Sequence, residues 1–91
     1  MTEITRVLRI VNEKGLHARA SAKFVEVVEA HDARCTVRRD GLDASGDSIM
    51  GLLMLAAARG TTIEVTCKGA EAERLADALE ALVADRFGEG F

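Results

Sequence analysis

The apolar period of this chain switches repeatedly between the two-residue repeat of a strand and the ~3.6-residue repeat of a helix, and that order decides the fold class. Ile4 to Val11 is dense in Ile, Val and Leu and reads as a strand. Lys14-Gly15-Leu16-His17 breaks it. From Ala18 to Ala30 the period is helical, with Ala22, Val25 and Val28 on one face and Lys23, Glu26 and Glu29 on another. Arg34 to Arg39 returns to strand. Asp40-Gly41 is a hairpin signal, because a type I′ turn needs positive φ at both central residues. Leu42 to Ser45 is the partner strand. Asp47 or Ser48 can cap a helix from Ile49 to about Arg59, stopped by Gly60. Thr62 to Lys68 alternates Ile63, Val65 and Cys67 with Glu64, Thr66 and Lys68, the clearest strand in the chain. A last helix runs from Ala70 to about Phe87, with Leu75, Ala76, Leu79, Leu82 and Val83 on its apolar stripe. The order β-α-β-β-α-β-α predicts a two-layer α+β domain, a mostly antiparallel sheet with helices on one face.

The chain has 91 residues, room for one domain and a small core. Function is therefore expected on the surface. Fifteen acidic against twelve basic residues give a net charge of −3. That disfavours nucleic-acid binding, which needs a basic surface. Three Phe with no Trp or Tyr also leave little for base stacking. No signal peptide is read at the N-terminus and the longest apolar run is too short for a bilayer, so a cytoplasmic protein is expected, without membrane insertion. Cys35 and Cys67 fit no metal spacing and read as small core residues in a reducing compartment; sequence leaves a disulfide open.

The histidines differ in setting. His31 follows a helix and reads as a solvated residue suited to the helix C-terminal dipole. His17 follows a glycine turn and precedes a helix, beside free N–H groups that suit an anion. Lys14, Arg19 and Lys23 are expected to cluster around it. A second positive charge is disfavoured at a helix N-terminus. A neutral imidazole there is a nucleophile able to take and pass on a phosphoryl group, with Arg19 stabilising the charge; a merely structural histidine is the alternative. Ser48 reads as a helix cap, and equally as a phosphorylation site. The segment Ile49-Met50-Gly51-Leu52-Leu53-Met54-Leu55 is more apolar than one buried stripe requires, so it either docks partners or is more buried than its length suggests.

Gly15-Leu16-His17-Ala18-Arg19 followed by Ser48-Ile49-Met50-Gly51-Leu52-Leu53-Met54-Leu55 resembles the HPr phosphocarrier family of the phosphoenolpyruvate-dependent phosphotransferase system. The resemblance covers nearly the whole chain. It implies an open-faced β-sandwich of four antiparallel strands and three helices. It implies that His17 takes a phosphoryl group on Nδ1 from phosphorylated Enzyme I and passes it to an EIIA-type protein, for sugar uptake or for regulation. Arg19 matches the phosphate-assisting arginine. Ser48 matches a serine phosphorylated by HPr kinase/phosphorylase in many members. Ala18, Ala20, Lys23, Ile49, Met50 and Leu53 are expected to contact partners. Ala20 stands where the family usually has proline, which predicts a more mobile first helical turn. Asp47 before Ser48 is a further local variation. No cofactor or metal is implied.

Two other classes compete with a carrier. One is a regulatory docking module acting through Ser48 phosphorylation and binding of regulatory proteins. The other is a self-contained enzyme, which needs a base, an orienting group and a pocket together; no acid partner lies near His17 in sequence. A monomer is expected of a carrier that offers one face to successive partners.

Overall fold

A computed structural model describes residues 2–91; Met1, where the reading of the N-terminus begins, lies outside the described residues. The elements are β1 (Glu3–Arg9), α1 (Ala18–Glu29), β2 (Arg34–Arg39), β3 (Leu42–Ser45), α2 (Ile49–Met54), β4 (Thr62–Lys68) and α3 (Ala72–Ala84), followed by a short turn at Arg86–Gly88. The four strands form one antiparallel sheet in the order β1-β4-β2-β3. Leu8 faces Ile63, Val37 faces Val65 and Cys35 faces Cys67 across the ladders. The alternation seen in the sequence puts Leu8, Cys35, Val37, Ala44, Ile63, Val65 and Cys67 on the inner face, where all are buried. Phe24, Val25 and Val28 of α1, Leu52 of α2 and Leu75, Leu79 and Val83 of α3 close the core over them. Asp40 and Gly41 both have positive φ, 51° and 78°, as a type I′ hairpin demands. The architecture is the expected open-faced sandwich.

Two helices are shorter than the apolar pattern predicts. The second stops at Met54, not near Arg59. Ala56 adopts a left-handed φ of 51°, and the Leu55 carbonyl accepts a hydrogen bond from the Arg39 guanidinium at 3.0 Å. The released segment is used elsewhere, since the Ala57 carbonyl accepts the Leu16 N–H at 2.9 Å. The last helix starts at Ala72 and ends at Ala84, where Ala70 and Phe87 were expected. Arg86 and Phe87 have φ of 56° and 54°, which turns the chain and drops the Phe87 ring into the core. The first strand ends at Arg9, although Ile10 still exchanges backbone hydrogen bonds with Gly60 and Thr61.

Among the described residues no helix is long and apolar enough to cross a membrane.

Candidate functional site

The loop before α1 is held by close backbone packing. Gly15 has φ of +66°, and a Cβ there would lie 2.5 Å from the Ala57 carbonyl oxygen. Only glycine permits both the turn and the approach. The Leu16–Ala57 bond ties this loop to the segment after α2, and His17 follows as the N-cap of α1, its backbone extended at φ −78°, ψ −177°. Its carbonyl starts the helix by accepting the Ser21 N–H.

The two imidazole nitrogens have different partners. Nδ1 accepts the Arg19 backbone N–H at 3.3 Å. Nε2 contacts a carboxylate oxygen of Glu89, 72 residues away in sequence. An N–H donor at Nδ1 requires a lone pair there, so the hydrogen-bond network assigns the proton to Nε2. The His17 side chain is 27% exposed while Glu89 is 8% exposed, so the ring's outer part meets solvent and its anchor does not. Burial works against the charge of Glu89, but hydrogen bonds from Asn12 and His17, with the nearby Lys14 charge, hold its carboxyl below the ordinary range.

Asn12 joins the loop to the tail. Its amide nitrogen donates to the Gly15 carbonyl at 2.8 Å and to Glu89 at 2.9 Å. The side chain is fully buried. The tail is anchored at three further points. Lys23 donates to the Phe87 carbonyl at 2.6 Å, the Glu13 N–H donates to the Phe91 carbonyl at 3.2 Å, and the Lys14 ammonium lies 5.8 Å from the centre of the Phe91 ring. Together these surround an open depression of about 380 Å³ lined by Lys14, His17, Ala18, Arg19, Glu89 and Phe91. Among the described residues the exposed Arg19 guanidinium has no hydrogen-bond or ion-pair partner.

The structure separates the expected site residues into groups. Lys14, His17, Ala18 and Arg19 share the depression. Lys23 stands one helical turn on, half-buried, with its ammonium engaged by the tail. Ala20 departs from expectation: it is fully buried under α1 and offers no surface to a partner, because its position on the helix faces the core. Ser48 caps α2, its Oγ accepting the Gly51 N–H at 3.0 Å. Ile49 and Met50 are exposed, Leu53 is half-buried, and Met54 is the most exposed of the helix at 74%. Leu52 and Leu55 face the core, so the apolar segment has both a buried and an open side. Asn12, Glu89 and Phe91 were missed. The only sequence signal for them was an acidic residue between two glycines and an aromatic terminus after the last helix. Among the described residues no group of three or more His, Cys, Asp or Glu is placed to hold a metal ion.

The fold and site define a small α+β protein with one oriented, partly exposed histidine at a helix N-terminus, flanked by cations. The family model described as the phosphotransferase-system HPr component phosphorylation site matches residues 4–85. The chain is 41% identical over 87 residues to phosphocarrier protein HPr of Cupriavidus necator, covering 96% of this chain and 98% of that protein. It is 40% identical over 89 residues to phosphocarrier protein NPr of Shewanella violacea, covering 98% of each. The crystal structure of HPr-C-His from Thermoanaerobacter tengcongensis superposes with a TM-score of 0.89 at 32% identity, over the full length of both chains. The chain belongs to the HPr family, and its role is that of a phosphocarrier in the phosphotransferase system.

Proposed function

We propose that His17 accepts a phosphoryl group on Nδ1 from phosphorylated Enzyme I, itself charged by phosphoenolpyruvate, and passes it to an EIIA-type protein. The observation that carries this reading is the division of the imidazole: Nδ1 holds a lone pair while Nε2 is bound to Glu89. A nitrogen without a proton attacks phosphorus directly, so no base is needed. The new Nδ1–P bond forms as the donor's bond to phosphorus breaks, and Nε2 keeps its proton throughout. The positive charge that develops on the ring is met by the Glu89 carboxylate. The phosphoryl oxygens lie in the depression with Lys14 and Arg19, and the Arg19 N–H, freed from Nδ1, turns to them. The donor and acceptor proteins supply the rest of the chemistry, as expected of a carrier without a closed pocket.

Ile49, Met50, Leu53 and Met54 form the contact face for these partners, with Ala18 beside the histidine. Lys23 contributes by holding the tail. Ser48, at the start of that face, is the place where an HPr kinase/phosphorylase adds a second, regulatory phosphate. The protein acts as a monomer, presenting one face in turn to donor and acceptor. The acceptor decides between sugar uptake and a regulatory relay.

Incubation with Enzyme I, magnesium and phosphoenolpyruvate tests the reading. One acid-labile phosphate by intact mass, absent in His17→Ala, is the expected result. An unmodified wild-type protein, under conditions that charge another HPr, contradicts it and favours the docking module acting through Ser48.

A further inference from the structure

Cys35 and Cys67 take no part in the site, yet the sheet places them together. They are directly opposed on neighbouring antiparallel strands, and both are free thiols on the buried face. Opposed residues in such a pair have Cα atoms about 4.5 or 5.5 Å apart, depending on the hydrogen-bonding phase. Both values fall within the roughly 4.4–6.8 Å that a disulfide spans. The proximity of the two thiols favours the Cys67 thiolate, opposed by burial and aided by the Arg6 charge, and it pushes the Cys35 thiol up, as burial does.

We propose that Cys35 and Cys67 are an oxidisable dithiol, converted by a low-molecular-weight disulfide into an intrachain disulfide joining β2 to β4. One cysteine thiolate attacks a sulfur of the small disulfide; a mixed disulfide forms and one small thiolate leaves. The second cysteine then attacks the protein-bound sulfur. The Sγ–Sγ bond forms as the mixed bond breaks, and the second small thiolate leaves. Two electrons pass from the protein to the oxidant, and the two thiol protons go to the two released small thiols.

Reaction of the two buried thiols requires the edge of the sheet to open. Cys35 is 5% exposed and Cys67 is fully buried. Over Cys35 lies Gly46, where a Cβ would sit 2.7 Å from the Cys35 sulfur. Gly46 follows β3, a four-residue edge strand. Short edges open more readily than the core. Arg34 and Lys68, next to the two cysteines in sequence but on the open face of the sheet, border a depression of about 490 Å³ at that end, which neither cysteine lines. Their charge suits an anionic oxidant such as oxidised glutathione.

The test uses the full-length reduced protein, incubated with oxidised glutathione at neutral pH without denaturant. Free thiols are then blocked with iodoacetamide. The expected product is lighter by two hydrogens and carries no alkyl group. Its non-reducing peptide map links the Cys35 and Cys67 peptides, and dithiothreitol restores both thiols. Two alkylated cysteines, a product that retains glutathione, or a covalent dimer overturns the proposal and leaves the cysteines as core packing.

Discussion

Glu89 holds the Nε2 edge of His17, and the Arg19 backbone N–H is the partner of the opposite nitrogen. A residue at the far end of the chain thus selects which nitrogen of the imidazole carries a lone pair. Asn12 ties the same carboxylate to the loop that precedes the histidine. The tail and the loop therefore act as one unit around a ring that stays partly open to solvent.

His17→Ala removes the acceptor without touching the core. The lost cap costs about 1 kcal/mol. Chemical denaturation should therefore show a nearly unchanged midpoint, while intact mass after treatment with Enzyme I and phosphoenolpyruvate shows no phosphate.

Glu89→Gln keeps the shape of the tail but removes the charge that supports the Nε2 proton. Carboxylate partners of metal-bound histidines contribute about ten- to a hundredfold, and a similar range is expected where Glu89 orients a reacting imidazole. Single-turnover transfer from phosphorylated Enzyme I should slow within that range. An unchanged rate would mean that the carboxylate orients nothing.

The tether is also pH-sensitive, with a definite sign. The folded-state carboxyl of Glu89 lies below its ordinary range. Its stabilising contribution is therefore complete above the unfolded-state value and is lost as pH falls through the folded one. Protection of the Glu13 amide, whose N–H is bonded to Phe91, measured against the intrinsic exchange rate at each pH, should fall in that acid window in the wild type. In Glu89→Gln the acid step should disappear.

Gly15→Ala tests the support of the loop. An alanine meets both a positive φ and the Ala57 carbonyl, so a loss of more than about 1 kcal/mol is expected in thermal or chemical unfolding. An unaltered midpoint would show that the loop relaxes freely.

Met50→Glu places a charge on the exposed apolar side of α2, where it leaves the core alone. Calorimetric titration should show binding to Enzyme I weakened by about 1 kcal/mol or more with stability unchanged. Leu53→Glu gives a less clean answer, because Leu53 is half-buried and its substitution also disturbs packing.

What the sequence makes legible follows from how local each signal is. Ile63, Val65 and Cys67 alternate with polar residues, so β4 and its inner face are readable directly. Asp40-Gly41 names its own turn, and the positive φ values agree. His17 and Arg19 stand beside a glycine turn at a helix start, and the structure brings them into one depression. Residues 55–59 carry no helix breaker, so the early end of α2 is invisible until Ala57 is seen to bond Leu16. Glu89 is hidden for a different reason. Its contact with His17 exists only because Arg86, Phe87 and Gly88 turn left-handed and fold the tail back, and no periodicity records that. Ala20 shows the converse case, in which a position in the matched motif faces the core rather than a partner.

The most direct measurement is long-range proton–nitrogen correlation of the His17 ring in ¹⁵N-labelled protein, before and after phosphorylation by Enzyme I and phosphoenolpyruvate. The account predicts an Nε2-protonated ring in the free protein and phosphorus coupled to Nδ1 afterwards. Phosphorus on Nε2, or on any residue other than His17, would contradict it.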